Sequence, residues 1–314
     1  MKLAFLYAGQ GSQHAGMGAD LYEASPVFRQ VFDQAAEGLD FDLKTTCFTD
    51  PEGVINQTRY TQPCMVAFAV GVTAMLAAEG IRPEYAAGLS LGEYSALECA
   101  GVFDARTAVE LVAFRGKAMA KASEGLECGM TAVLMLDRET LQHCCDEAAS
   151  LGVVQICNYN CPGQLVIGGE KAAVDKAFEL AKAAGAKRCI PLKVSGPFHT
   201  SLMHPAGDAL AEKFKTIDFQ PMELPVLFNC LGHEMNEGDS IPALLEKQVQ
   251  SSVYLEDTIR RLAELGVDTV IEVGPGKAIS GFVKKTVGSA ITCLNIETMA
   301  DFTAAVAAVK EARA

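Results

Sequence analysis

The sequence predicts an α/β fold built on a mostly parallel sheet, and three observations carry that expectation. Short apolar runs such as Leu3–Tyr7 and Thr269-Val270-Ile271-Glu272-Val273 alternate with longer segments of helical periodicity, the rhythm of strands covered by helices. The 314 residues suffice for one large domain, or for a main domain carrying a smaller insert. Hydrophobic content of 50% and charged content of 21% suit a globular enzyme and are wrong for disorder.

Taken in order, the pattern gives a strand at Leu3–Tyr7, a helix through Thr61–Ala78 and a short strand at Tyr85-Ala86-Ala87. A helix from Glu93 to Ala100 follows, then a helix over Ala105–Ala122 with Asp104 placed to cap it. Between Gly129 and Val194 the rhythm changes. Here a strand at Met130–Leu136, a helix at Glu139–Ala149 after Asp137, strands at Val153–Asn158 and Gln164–Ile167, a helix at Ala172–Ala184 and a strand at Arg188–Val194 are expected. That order, βαββαβ, predicts a ferredoxin-like unit. Ser123, Gly125 and Gly129 before it, and Ser195-Gly196-Pro197 after it, are the crossing points back to the main domain. The domain expectation is therefore residues 1–125 with 196–314, and an inserted subdomain over 126–195. Beyond Pro197 come a helix through Ser201–Lys215, a strand at Val226–Phe228, a helix at Leu255–Leu265, the buried parallel strand Thr269–Val273 and a helix at Ala278–Thr286. The turn Gly274-Pro275-Gly276-Lys277 lacks the G-x-x-x-x-G-K-[ST] spacing of a phosphate loop. No internal repeat or low-complexity tract marks a second independent domain.

Net charge of −13 argues against nucleic acid as a partner. It leaves room for an anionic small ligand at a local cluster: Lys187-Arg188 with Lys193, Arg115 with Lys117 and Lys121, or Lys277 with Lys284 and Lys285. The apolar run Leu3–Ala8 is too short for a signal-peptide core and no apolar run is expected to span a bilayer, so no membrane and a cytoplasmic location are expected. Eleven cysteines, odd in number and without a C-x-x-C pair, point to reduced thiols that pack as small hydrophobes. The five histidines are scattered, and His199 with His204 lacks the H-E-x-x-H pattern. Neither a metal nor a cofactor is expected.

The pentapeptide Gly88-Leu89-Ser90-Leu91-Gly92 is the most informative segment, because two glycines around a serine allow a strained turn that points a hydroxyl outward. A strand leads in and a helix leads out, so the helix N-terminus would aim its free N–H groups at Ser90, where a developing oxyanion gains from them. A serine needs a base, and His199, just past a strand end in Gly196-Pro197-Phe198-His199-Thr200, is the best placed of the five histidines. His14 follows the first glycine-rich turn and is the second candidate. An α/β-hydrolase triad would place its acid before the histidine, and His199 in mid-chain fits that order badly. Something other than a carboxylate then orients the base.

Six ordered segments resemble the malonyl-CoA:acyl-carrier-protein transacylase family nearly end to end. They are Ala8-Gly9-Gln10-Gly11-Ser12-Gln13, Gly88 to Ala96, Phe114-Arg115-Gly116-Lys117, Asn158 to Gln164, Gly196 to Thr200 and Glu272 to Lys277. The resemblance implies a hydrolase-like α/β domain with a ferredoxin-like insert. It implies that Ser90 attacks the thioester of malonyl-CoA, that His199 takes its proton, and that the backbone N–H groups of Gln10 and Leu91 hold the oxyanion. Arg115 would grip the malonyl carboxylate, which an acetyl group lacks. Matching Lys247 to Val253 puts the main-chain carbonyl that orients the histidine on Gln248; Asn160 would line the pocket, and Phe198 would crowd a branched methylmalonyl group. The partner implied is a phosphopantetheinylated acyl carrier protein in fatty-acid synthesis, with Lys187, Arg188 and Lys193 as its docking residues and a monomeric enzyme. Ala8, Leu89 and Tyr254-Leu255 depart from the family pattern, where proline, histidine and a basic residue with tryptophan are usual. Three rivals remain open at this point: a transferase serving polyketide carriers in trans, an acyl hydrolase on the same scaffold and a non-catalytic carrier-binding protein.

Overall fold

The computed structural model describes residues 1–193 and 196–314. Expectations resting on Val194 and Ser195 lie outside the described residues. Contacts divide the chain into two compact units, residues 1–116 with 218–228 and 259–314, and residues 117–217 with 229–258.

The first half of the chain runs β1 (Leu3–Tyr7), α1 (Ala19–Ala24), α2 (Pro26–Ala36), α3 (Leu43–Phe48), α4 (Thr58–Ala78), β2 (Tyr85–Gly88), α5 (Gly92–Cys99) and α6 (Ala105–Ala122). There follow β3 (Cys128–Leu134), α7 (Arg138–Ala148), β4 (Val154–Cys161), β5 (Gln164–Glu170), α8 (Lys171–Ala183) and β6 (Arg188–Pro191). The remainder is α9 (His204–Phe214), β7 (Val226–Phe228), β8 (His233–Glu234), α10 (Ile241–Val249), α11 (Leu255–Glu264), β9 (Thr269–Val273), α12 (Ala278–Val287), β10 (Thr292–Ile296) and α13 (Met299–Arg313).

Within the first unit the strands lie in the order β10-β9-β1-β2-β7, and each neighbouring pair is parallel. β1 and β9 are buried along their whole length, which is why both are continuous apolar runs rather than alternating ones. Helix ends are set by local chemistry. Ser25 accepts from the Phe28 N–H with Pro26 in the first turn of α2, Asp104 accepts from the Thr107 N–H at 2.8 Å, and Thr298 and Asp301 form a capping box at α13. α4 is long and apolar enough to cross a membrane, against the expectation that no run would be. The helix begins at Thr58, earlier than expected, and its apolar part is 83% buried within the protein, as a core helix requires.

The second unit holds the βαββαβ run as an antiparallel sheet in the order β4-β5-β3-β6, with α7 and α8 packed on one face through Val133, Leu141, Ile156, Leu165, Ile167 and Ala177. Residues 252–254, which lie outside the expected 126–195 segment, bond to β4 within the same unit. Val253 N–H donates to Cys157 O and Tyr159 N–H to Val253 O, each at 2.9 Å, and the Tyr159 and Tyr254 rings stack at 5.0 Å. The Arg138 guanidinium lies over Tyr159 and donates to both carboxylate oxygens of Asp257, tying the start of α11 to α7. Strand β3 ends two residues before the expected Leu136 because Met135 adopts φ 63°, which no strand continues through. β6 ends at Pro191, so the described part of the expected Arg188–Val194 strand is shorter than predicted. All eleven cysteines are free thiols.

Candidate active site

In the first unit the turn after β2 puts Ser90 at φ 56°, a left-handed backbone unusual for a non-glycine residue, and α5 starts two residues later. Gly92 permits this: a Cβ there would stand 2.5 Å from Tyr7 O, so only a bare α-carbon lets α5 close on β1. Leu91 is the N-cap of α5, and among the described residues neither its N–H nor that of Gln10 donates to a protein acceptor. Two main-chain donors in the unit of the strained serine are thus available to an anion.

Arg115 reaches Ser90 from α6. Its Nη2 donates to Ser90 Oγ at 3.0 Å, and its Nη1 donates to Gln62 Oε1 at 2.7 Å. Gly116 makes the approach feasible, since a Cβ there would lie 2.7 Å from Thr58 O in the first turn of α4. A guanidinium has only donors, so Ser90 Oγ accepts in this contact and keeps its hydrogen for a base. The Arg115 side chain is almost wholly buried. Burial draws its pKa down from the usual arginine range, opposed by the Tyr94 hydroxyl and then the Glu93 carboxylate; its guanidinium carbon sits 5.8 Å from the Tyr94 ring centroid. Gln62, Tyr94, Glu93 and Thr58 were not singled out by sequence reasoning. The one signal for Gln62 is a lone amide entering an otherwise apolar helix.

The loop between β1 and α1 carries Gln10 and is anchored at several points. Thr58 Oγ donates to Gln10 Oε1 at 2.9 Å and Gln13 Nε2 donates to Asn56 Oδ1 at 2.8 Å. His14 lies 3.0 Å through Nδ1 from Ala15 O and 2.9 Å through Nε2 from Glu297 Oε1, two acceptors whose placement favours the protonated ring. Its pKa is raised, first by the Ala15 carbonyl and then by Glu297. A raised value in the folded chain means a stabilisation fully present below about pH 6.5 and lost as pH rises through the folded value. The melting-temperature gap between wild type and His14→Gln should therefore be widest near pH 6 and shrink by about pH 9, as thermal scans across that range will read.

In the second unit His199 adopts φ 60°, in a turn pinned by Thr200 Oγ donating to Pro197 O at 2.6 Å. Its Nδ1 donates to Gln248 O at 2.9 Å from the last turn of α10, which fixes the proton on Nδ1 and leaves Nε2 as the basic nitrogen. The histidine is 5% exposed and has a main-chain carbonyl, not a carboxylate, at its back. Phe198 is buried beside it in sequence, and Asn160 on β4 is 8% exposed, its Oδ1 without a donor among the described residues. Among the described residues no group of three or more His, Cys, Asp or Glu is placed to hold a metal ion.

A serine on a left-handed strand-to-helix turn, bonded by a buried arginine within the parallel-sheet unit, is the arrangement of an acyltransferase. The chain belongs to the acyl transferase family: the model described as acyl transferase domain matches residues 4–309. The malonyl CoA-acyl carrier protein transacylase of Bacillus subtilis is 43% identical over 285 residues, 90% of each chain. The crystal structure of the malonyl CoA-acyl carrier protein transacylase of Clostridium perfringens superposes with a TM-score of 0.95 at 39% identity, covering 100% of this chain and 98% of that one. A malonyl-transacylase in complex with its type II PKS acyl-carrier protein gives 0.94 at 38% identity, covering 98% and 100%.

Proposed function

We propose that this chain moves a malonyl group from malonyl-CoA to the phosphopantetheine thiol of an acyl carrier protein, through malonyl-Ser90, in fatty-acid synthesis. The observation that carries the reading is the Arg115 Nη2 to Ser90 Oγ bond of 3.0 Å. A guanidinium that close to the nucleophile meets the far carboxylate of an acyl group only if that group is very short, and malonyl places it one methylene from the reacting carbonyl. The names of the relatives agree with this chemistry.

In the proposed cycle Ser90 Oγ attacks the thioester carbonyl while His199 Nε2 takes its proton, and the N–H groups of Gln10 and Leu91 receive the oxyanion. Collapse breaks the C–S bond, His199 returns the proton to the CoA sulfur, and the malonyl ester stays on Ser90. The carrier thiol then attacks that ester with His199 as base, and Ser90 regains its proton as the malonyl thioester leaves on the carrier. Gln248 O holds the imidazole in the tautomer both halves need. Phe198 narrows the acyl pocket against a branched methyl, and Asn160 offers Oδ1 to an amide N–H of the pantetheine arm.

The test is intact-protein mass after brief mixing with malonyl-CoA or acetyl-CoA, followed by addition of phosphopantetheinylated carrier. A malonyl adduct that then moves to the carrier supports the transferase; release of free malonate without carrier favours a hydrolase. The fold alone does not choose the carrier, because a relative of the same architecture is bound to a type II PKS carrier. Rates with fatty-acid and polyketide carriers side by side decide between those two readings.

The docking residues proposed for the carrier are Lys187, Arg188 and Lys193; their exposure on and beside β6 in a chain otherwise strongly acidic supports that reading. Charge reversal at all three is expected to raise the KM for carrier by about tenfold or more while leaving malonyl loading from CoA intact. Unchanged carrier kinetics would place docking elsewhere. The reading includes a monomeric enzyme acting in the cytoplasm, which sedimentation and cell fractionation would check.

A further inference from the structure

The first unit contains a chain of hydrogen bonds whose direction is fixed at every step. Arg115 Nη1 donates to Gln62 Oε1 at 2.7 Å, Gln62 Nε2 donates to Thr58 Oγ at 2.9 Å, and Thr58 Oγ donates to Gln10 Oε1 at 2.9 Å. The guanidinium has only donors, so Gln62 must present its oxygen to Arg115 and its amide hydrogens to Thr58; the threonine hydroxyl, once it accepts, must give its one hydrogen to Gln10. Arg115, Gln62 and Thr58 are each 2% exposed or less, so breaking a bond among them costs a hydrogen bond in a buried setting. One end of the chain is the group assigned to the malonyl carboxylate. The other is the residue whose N–H is assigned to the oxyanion.

We infer that Gln62 and Thr58 are positioning residues that couple carboxylate recognition at Arg115 to the placement of the Gln10 peptide. The inference rests on the malonyl transfer proposed above. A carboxylate arriving at Arg115 draws on the same guanidinium that donates to Gln62, and a directed path from that guanidinium to the β1–α1 loop runs through Gln62 Nε2 and Thr58 Oγ. A malonyl group then sets the oxyanion donor as it binds, whereas an acetyl group, with nothing to offer Arg115, does not. Discrimination by this route appears in the rate of acylation and not only in binding. The site selects the acid twice, once by holding it and once by completing the oxyanion hole in response.

Thr58→Val removes the hydroxyl with little change of shape, and Thr58→Ser keeps it. Single-turnover acylation of Thr58→Val by malonyl-CoA should slow about tenfold with KM changed less than threefold, while acylation by acetyl-CoA changes less than threefold. Thr58→Ser should stay within threefold of wild type on both substrates. Equal slowing with both thioesters would show static support only and overturn the coupling; so would a change confined to KM, or wild-type rates in Thr58→Val. Gln62→Met breaks the chain one bond earlier and gives the same readout should Thr58→Val fail to fold. Wild type failing to form malonyl-Ser90 at all would overturn the proposed function instead, so the two failures are told apart by the control.

Discussion

Ser90→Ala is expected to form no malonyl adduct and to lose carrier malonylation by on the order of a millionfold, to the background given by bound substrate alone. Alanine removes only the nucleophilic oxygen. The backbone at φ 56° is as strained for alanine as for serine, so the turn, the cap at Leu91 and the packing of Gly92 on Tyr7 persist. Arg115 loses one acceptor and keeps Gln62. The variant should therefore melt close to wild type and still bind malonyl-CoA, which isothermal titration will read; an adduct surviving in Ser90→Ala would remove Ser90 from the reaction.

Arg115→Ala has the second-largest expected effect and acts on choice of substrate. Two charge-assisted hydrogen bonds to a carboxylate, at roughly 1.5–3 kcal/mol each, correspond to about two to four orders of magnitude in kcat/KM for malonyl-CoA. Acetyl-CoA draws on none of that and should lose less than about tenfold, so the preference between the two collapses. Truncation also leaves Gln62 Oε1 without this donor in a buried setting, so a lower melting temperature is expected alongside. Arg115→Lys should recover little, because a point-charge ammonium cannot serve Ser90, Gln62 and a planar carboxylate from one fork. Retention of the malonyl preference in Arg115→Ala would take specificity away from this residue.

The parts of the fold that were legible in the sequence are those fixed by local chemistry. β1, β7 and β9 fall where their apolar runs place them, and the caps at Asp104 and Asp137 begin helices as written. The turn at Ser90 was legible because glycine on both sides has few other uses. Boundaries slipped where tertiary contacts decide them. β4 runs on to Cys161, three residues past its expected end, through two irregularities in its pairing with β5. The expected helix from Ser201 opens with a short 3-10 turn, and α9 proper begins at His204. Gln62 and Thr58 carry no periodic signal beyond a polar residue at the head of an apolar helix, and their meaning comes from what α6 and the β1–α1 loop bring to them.

The place of β1 in its sheet has a consequence for how the protein is made. Its neighbours are β2 and β9, and the register pairs Ala4 with Val270, so the bonds along one edge wait for a partner translated some 266 residues later. While the ribosome is still at work, this wholly buried apolar strand has an open edge, a template for pairing with another nascent chain. Truncation before Thr269 would make that exposure permanent, and such fragments belong with the chaperones and in inclusion bodies rather than among the folded products.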